Sequence, residues 1–525
     1  MRNTLLALFF SAIASVSLAA PADRGKAHHV IVIVWDGMRP DFVSEKTTPN
    51  LWKLVRQGVT FRHHHPVYTS STEVNGTAMA TGDYPEHSGI MANREYRPAV
   101  DPLGPVGTEL PTTIQREKGP YLAVPTVAQL LHAAGLTTAV AGSKGVALLQ
   151  DWSHNGRSLA ARGSVVLFEG KTAPETAMAE LTAALGPWPD TVEFPNIPQD
   201  VWTTQALTQV FWKTGLPAYS MLWMSDPDYS QHQTSLGSEM ALAAIKSVDT
   251  RLGTLLDALD KSGARDDTDI FVISDHGFST IRSANEPVTP LNAMGLSVAS
   301  TFFAQLPKPG QVLAVENGGS ISFYITGHDK VIGRKITDFL QSTNYAGVIF
   351  SRWKLPGTFD LHAAHIATRQ APDVVVALNW SSDRNSLGIP GMLDGDGGRT
   401  PGKSTHASLS AYEMHNTLIA AGPDFKQGWQ DDIATGNIDL APTILWILGV
   451  HHQAMDGRVL LEAIPGHAMT RKLSRQLLIA QNPATGWTQY LKISHVGTTE
   501  YIDEGNRGPD SVATPTPGSQ TTGTN

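Results

Sequence analysis

The chain has 525 residues, is 41% hydrophobic and carries a formal net charge of −9. That is enough for a large buried core, and it is the wrong sign for a broad nucleic-acid or anionic-membrane footprint. An anionic substrate must therefore be drawn in by local charge such as metal ions; with no cysteine, the chain has no disulfides, thiolate ligands or cysteine nucleophiles.

The first residues read as an export leader. Arg2 is followed by a run of apolar and small residues over 5–18, and Ser17-Leu18-Ala19 gives the small-x-small pattern of a signal-peptidase site. Residues 1–19 are therefore expected to be a signal peptide. The mature protein would then be periplasmic or secreted, with no membrane anchor. His29–Trp35 is a β-branched apolar run that predicts a strand buried on both faces, ending in Asp36-Gly37. Thr48-Pro49 opens a helix through Gln57. Similar buried strands are expected at 138–141, 218–224, 270–274 and Val374–Leu378, with helices at 126–134 and 239–259 between them. This alternation predicts an α/β fold with a mostly parallel sheet covered by helices on both sides.

The stretch from about 278 to 402 is different in pattern. Asn317-Gly318-Gly319 between Val312–Glu316 and Ser320–Ile325 predicts a hairpin, and a helix is expected near 329–341. The expected organisation is a catalytic core over 26–280 and 403–465, an inserted lobe over 281–402, a C-terminal extension over 466–507 and a Pro/Gly/Ser/Thr-rich disordered tail over 508–525. The last core unit runs from Thr417 through a helix at 440–448.

Chemistry-bearing residues gather where strands are expected to end, which is where open α/β sheets hold ligands. Asp36 follows the first strand, Asp226-Pro227-Asp228 with His232 follows the strand ending at Met224, and Asp275-His276 follows the strand at 270–274. Thr405-His406 lies in a loop shortly before Thr417. One Asp after a strand is most often a cap or turn residue. Three Asp and three His of this kind make an oxygen/nitrogen donor set that suits zinc, with manganese or magnesium as alternatives. Thr72 opens a run of small residues that predicts a helix. Its hydroxyl is either an ordinary cap or a group set in the positive field of a helix start, suited to a phosphoryl group.

The ordered motifs Asp36-Gly-Met-Arg-Pro-Asp, Thr48-Pro-Asn-Leu, Thr72-Glu-Val-Asn75, Thr81-Gly-Asp-Tyr-Pro-Glu-His-Ser-Gly, Pro227-Asp228-x-x-x-His232, Asp275-His276-Gly and Gly402-x-x-x-His406 resemble the alkaline phosphatase superfamily. Within it, the chain is most similar to the type I phosphodiesterase/nucleotide pyrophosphatase branch. The resemblance implies a three-layer α/β/α sandwich with an inserted smaller lobe. It also implies two divalent metal ions: one held by Asp36, Asp275, His276 and the Thr72 oxygen, the other by Asp228, His232 and His406. By the same resemblance Thr72 is the nucleophile, forming a phosphothreonine, and Asn75 donates to a phosphate oxygen. Relatives often carry Phe-Pro before that Asn where this chain has Glu73-Val74, so the leaving-group pocket is expected to differ.

The implied substrate is a small phosphate ester or nucleotide-like molecule cleaved at a phosphodiester or pyrophosphate bond. Some bacterial phosphatases with a Thr nucleophile carry a Lys-x-Arg pair in the region of Ser143-Lys144-Gly145; here Lys144 is present without the Arg. Lys144 and Tyr229 are the candidate substrate contacts. A phosphomonoesterase, and a phosphonate hydrolase or phosphoryl transferase, remain alternatives. A non-catalytic metal-binding protein would need a missing ligand position, and none is missing. Sulfatases lose support because neither the Cys-x-Pro-x-Arg motif nor its serine form is present.

Overall fold

The computed structural model describes residues 24–117, 120–151, 164–303, 305–467 and 471–508. The expected signal peptide and, apart from Gly508, the expected tail lie outside the described residues. Among the described residues, no helix is long and apolar enough to cross a membrane.

The core is a nine-stranded sheet. Its strands, numbered in chain order, are β1 (His29–Trp35), β2 (Val59–His65), β3 (Thr138–Gly142), β4 (Val165–Phe168), β5 (Lys171–Ala173), β6 (Tyr219–Met224), β7 (Thr268–Ile273), β8 (Leu418–Ala421) and β9 (Trp429–Gly436). Their spatial order is β9-β2-β8-β7-β1-β6-β3-β4-β5. The central run β7-β1-β6-β3-β4 is parallel throughout. β8 enters antiparallel to both β7 and β2, and β5 closes the far edge antiparallel to β4.

β1 shows why this sheet is buried on both faces. Val30, Val32 and Val34 join a core with the helices Val127–Ala133 and Leu440–Ile447. Ile31, Ile33 and Trp35 join another with Pro49–Gln57 and Glu239–Ser262. All six side chains are fully buried, and burying each contributes about 1.5–3 kcal/mol. This three-layer α/β/α arrangement is the fold class expected above. Helix starts follow local signals: Thr126 makes a full capping box with Gln129, and Asp329 accepts from Val331 and Ile332 at the start of Lys330–Ser342.

Val374–Leu378 is a buried strand as expected, but it lies outside the central sheet. It is the antiparallel middle of a six-stranded sheet with Ser320–Ile325 and Ala346–Ser351. Its apolar run reads like a parallel-core strand because both its faces are covered too. One face packs among Ile336 and Leu340, the other among Leu491 and Ile502. The hairpin around Asn317-Gly318-Gly319 forms in register Glu316↔Ile321. A three-stranded antiparallel sheet, Leu473–Asn482, Trp487–Val496 and Thr499–Arg507, follows the core. It docks on the six-stranded sheet through Gln489, whose amide bonds both Ile349 N and O at 2.9 Å.

Candidate active site

The carboxyl ends of β1, β6, β7 and β3 bring Asp36, Asp228, Asp275-His276 and Lys144 into one buried cluster, joined by Thr72 from the helix Thr72–Thr81. Thr72 is the first helical residue, with Ser71 extended before it, so its hydroxyl is not spent as the cap. Thr72 Oγ1 lies 3.3 Å from His276 Nε2 and 3.5 Å from Lys144 Nζ.

The donors fall into two groups. In one, a ligand atom each of Asp36, Asp275 and His276 lies within 4.8 Å of the others; in the second, Asp228, His232 and His406 do the same. Each carboxylate is anchored through one oxygen. Asp36 Oδ2 accepts from Trp223 Nε1 at 2.8 Å, and Asp275 Oδ1 accepts from the Gly37 and His276 N–H groups at 2.9 and 3.0 Å. Asp228 Oδ2 accepts from Lys144 Nζ at 2.6 Å. The other oxygens, Asp36 Oδ1, Asp275 Oδ2 and Asp228 Oδ1, are buried and accept no hydrogen bond among the described residues.

All three histidines are fixed in the same way. His276 Nδ1 lies 2.9 Å from Gly277 O, His232 Nδ1 3.1 Å from Ser404 O, and His406 Nδ1 2.9 Å from Ser70 O. A carbonyl only accepts, so Nδ1 carries the proton and Nε2 presents its lone pair to the group, the arrangement found behind metal-binding histidines. Burial, with help from the neighbouring His276, keeps His406 neutral well below its ordinary range.

Lys144 stands between the groups, with Nζ 2.6 Å from Asp228 Oδ2 and 2.9 Å from Asp36 Oδ2. Burial works against its charge, but Asp228 and Asp36 outweigh it and hold the ammonium well above its usual range. Burial and the Asp275 charge push Asp36 up strongly. Burial also acts to raise Asp228, yet Lys144 and the histidines hold it well below the carboxylate range. Lys144 Nζ also lies 5.0 Å from the centre of the Tyr229 ring, so both candidate substrate contacts reach the cluster.

Asn75 requires correction. It is fully buried, its Oδ1 accepts from Val67 N and Asn437 Nδ2, and its Nδ2 faces the carbonyls of Val67, Thr69 and Ser71. The amide is consumed in holding the turn before Thr72 and has no donor left for a substrate. Asn93 lies at the start of the same helix: its Oδ1 accepts from Glu73 N at 3.1 Å, and its NH2 group donates no hydrogen bond among the described residues. No periodicity marks Asn93; it lies four residues past Gly89, where the matched motif stops.

Beside Glu73 opens a cavity of about 620 Å³ lined by Asn93, Arg94, Glu109 and Arg116 among others. Burial and Glu109 push the Glu73 carboxyl well up. Asn437 is another residue that sequence reading missed. It links Asn75 to the Asp275 carbonyl and accepts from His64 Nε2.

The family model for type I phosphodiesterase/nucleotide pyrophosphatase matches residues 30–383. The chain belongs to that family. Among relatives in this family, the bis(5'-adenosyl)-triphosphatase of Xenopus laevis is 21% identical over 433 residues, 82% of this chain and 79% of the relative. The ectonucleotide pyrophosphatase/phosphodiesterase family member 7 of Rattus norvegicus is 20% identical over 262 residues, 50% of this chain and about half (52%) of the rat protein. The fold matches murine ectonucleotide pyrophosphatase/phosphodiesterase 5, an inactive variant solved with AMP, at TM-score 0.56 and 16% identity, covering 82% of this chain and 97% of the murine one. In this type I phosphodiesterase/nucleotide pyrophosphatase family member, Glu73 directly follows Thr72 and lines the cavity.

Proposed function

We propose that the protein is an exported, metal-dependent hydrolase of phosphodiester or pyrophosphate bonds in small nucleotide-like substrates, acting through a phosphothreonine on Thr72. The observation that carries this reading is the Thr72 hydroxyl at a helix start beside two buried Asp/His groups, each carboxylate keeping one oxygen unpaired toward its group. The leader pattern in residues 1–19 supports export. The AMP bound by the murine structure and the triphosphatase relative support a nucleotide-like substrate. The distribution of sheets supports a core over 26–280 and 403–465, a lobe over 281–402 and an extension over 466–507.

The residues fit a pair of divalent ions. Unpaired buried carboxylate oxygens and tautomer-fixed imidazoles are donor sets that zinc satisfies, and manganese or magnesium less well. Asp36, Asp275, His276 and Thr72 would hold one ion, and Asp228, His232 and His406 the other. Ions bound there would supply positive charge that lowers the hydroxyl pKa and steadies the leaving oxygen.

The chain's own residues supply the rest. Thr72 Oγ attacks phosphorus and displaces the leaving alcohol or phosphate in line. Water then cleaves the phosphothreonine and regenerates the hydroxyl. Asn93 Nδ2 and the Thr72 N–H at the helix start face the charge that develops on the non-reacting oxygens. Lys144, with Tyr229 beneath it, contacts the bound phosphate. Glu73 and Glu109 shape the leaving-group side of the cavity.

One observation favours a second reading. An ammonium 3.5 Å from the nucleophile matches the extra charge of a phosphomonoester. Rates of the zinc-loaded protein on bis-p-nitrophenyl phosphate and p-nitrophenyl phosphate separate the two. A diester preference is expected; a large monoester preference assigns the protein as a phosphomonoesterase.

A further inference from the structure

The carbonyl-anchored histidine seen three times in the active site occurs again elsewhere. His65 ends β2, and its Nδ1 lies 2.9 Å from Thr435 O. The carbonyl fixes the proton on Nδ1, so neutral His65 presents an Nε2 lone pair. That nitrogen lies 3.0 Å from Asp503 Oδ1 on the last strand. A lone pair facing a carboxylate is repulsive, so a positive species belongs between or beside them: a proton on His65 or a metal ion.

His415 decides between these. It comes from the loop before β8, its ring centre is 4.5 Å from that of His65, and it makes no side-chain hydrogen bond among the described residues. A ligand atom from each of His65, His415 and Asp503 falls within 4.8 Å of the others. Zinc–ligand distances of about 2.1 Å place tetrahedral donors roughly 3.4 Å apart, which small side-chain adjustments reach from here. With no side-chain hydrogen bond to give up among the described residues, the His415 ring is open to an ion set beside His65 and Asp503. A cavity of about 310 Å³ lined by His63, His495 and Asp503 opens onto the cluster and gives water and an ion a route in.

We propose that His65, His415 and Asp503 hold a structural zinc ion, with water as a further ligand, that fastens the C-terminal sheet to the catalytic core. The three ligands come from β2, from the loop before β8 and from the strand Thr499–Arg507, elements far apart in the chain. A cysteine-free protein cannot join such elements by a disulfide, and a metal crosslink does the same work. The fastening bears on the active site mechanically. The loop that carries His415 also backs the Ser274–Gly277 turn, where Glu413 O accepts from Gly277 N.

The test uses the full chain, stripped with chelator, reloaded with zinc and freed of excess metal. Metal content and melting temperature are compared for the parent protein, Asp503→Asn and His415→Gln. Each substitution should lower the content by one ion per chain and shrink the zinc-induced rise in melting temperature. Repeating Asp503→Asn in an Asp228→Asn background should again remove one ion, because the two clusters are separate. Unchanged metal content in Asp503→Asn, in either background, overturns the proposal and leaves a metal-free His65–Asp503 ion pair. If His415→Gln does not fold, Asp503→Asn, whose side chain is partly exposed, carries the test alone.

Discussion

Acids and histidines meet at several places in this molecule, and two of them, one buried and one half-buried, treat these groups in opposite ways. At the ends of β1, β6 and β7, Asp36, Asp228 and Asp275 each keep one oxygen without a hydrogen bond among the described residues. Where the last strand crosses the short helices Pro85–Ser88 and Leu361–Ala364, every such group is matched. His365 Nδ1 lies 2.7 Å from Glu86 Oε1 and its Nε2 3.1 Å from Glu500 Oε2, while its ring stacks on Tyr84 at 3.9 Å. An unpaired buried polar atom costs about 1–3 kcal/mol. A fold that tolerates three of them at one place is arranged for something that binds there; a fold that satisfies every one is arranged for stability. The same residue types thus serve function in the first region and cohesion in the second.

The largest expected effect is the loss of Thr72. Thr72→Ala removes the hydroxyl while leaving the surrounding acids and histidines in place, so turnover of a diester should fall by at least about 10³-fold, roughly 4 kcal/mol in the barrier. Bound metal and melting temperature should change little. Steady-state rates beside elemental analysis check both, and near-normal turnover would remove Thr72 from the reaction.

How legible the two regions were in the sequence follows from the range of the forces involved. β1 and the helices at 49–57 and 126–134 were readable because an apolar run, a Pro after Thr and an amphipathic pattern are local signals. The Asp and His residues of the candidate site were readable because each follows a recognisable strand or motif. β2 was not, since the alternation of Val-Thr-Phe-Arg is only four residues long and runs into three histidines. It is a strand because β8 and β9 pair with it from far along the chain. The C-terminal strand Leu473–Asn482 is largely exposed and carries no burial signature either. Asn75 was misassigned because a motif gives order along the chain and not the direction of an amide. The carbonyls of Val67, Thr69 and Ser71 claim its donors, whereas the Asn93 NH2 group donates no hydrogen bond among the described residues.

The second region is sharpened by pH. Burial acts to lower the His365 imidazolium, but hydrogen bonds to Glu500 and Glu86 outweigh it and raise it to about 9. The folded value lies above the unfolded 6.5, so the stabilisation is fully present below about pH 6.5 and is lost as pH rises through about 9. Its size is about 3 kcal/mol. His365→Gln should cost that much in urea unfolding near pH 6 and far less near pH 9.5. A mutant penalty that does not shrink with rising pH would show that His365 acts through packing alone.

A smaller effect of opposite sign is expected at the active site. In chelated protein, Asp36→Asn replaces the unpaired, charge-repelled oxygen with an amide NH2 that Asp275 can accept from, while the other oxygen keeps its Trp223 bond. Stability without metal should rise by about 1–2 kcal/mol, and zinc should no longer add to it as it does in the parent protein. Thermal scans with and without zinc give the comparison. A loss of stability in the chelated variant would mean that the Asp36 carboxylate is already satisfied, and the contrast between the two regions would fail.

The smallest effect tests whether partners alone, without burial, account for the second region. Arg334 and Asp338 lie one helical turn apart on Lys330–Ser342, with Nε 2.7 Å from Oδ1. They are as well paired as His365 and Glu86, but both side chains are more than 40% exposed. Water screens their attraction, and holding two long side chains in one geometry costs entropy, so Arg334→Ala should change the unfolding free energy by less than about 0.5 kcal/mol. A loss comparable to that of His365→Gln would mean that pairing itself, and not pairing inside a half-buried seam, fastens the last strand to the core. Burial would then cease to separate a structural ion pair from a decorative one in this protein, and the hydrogen-bond-free oxygens of Asp36, Asp228 and Asp275 would remain as the one feature that marks the first region.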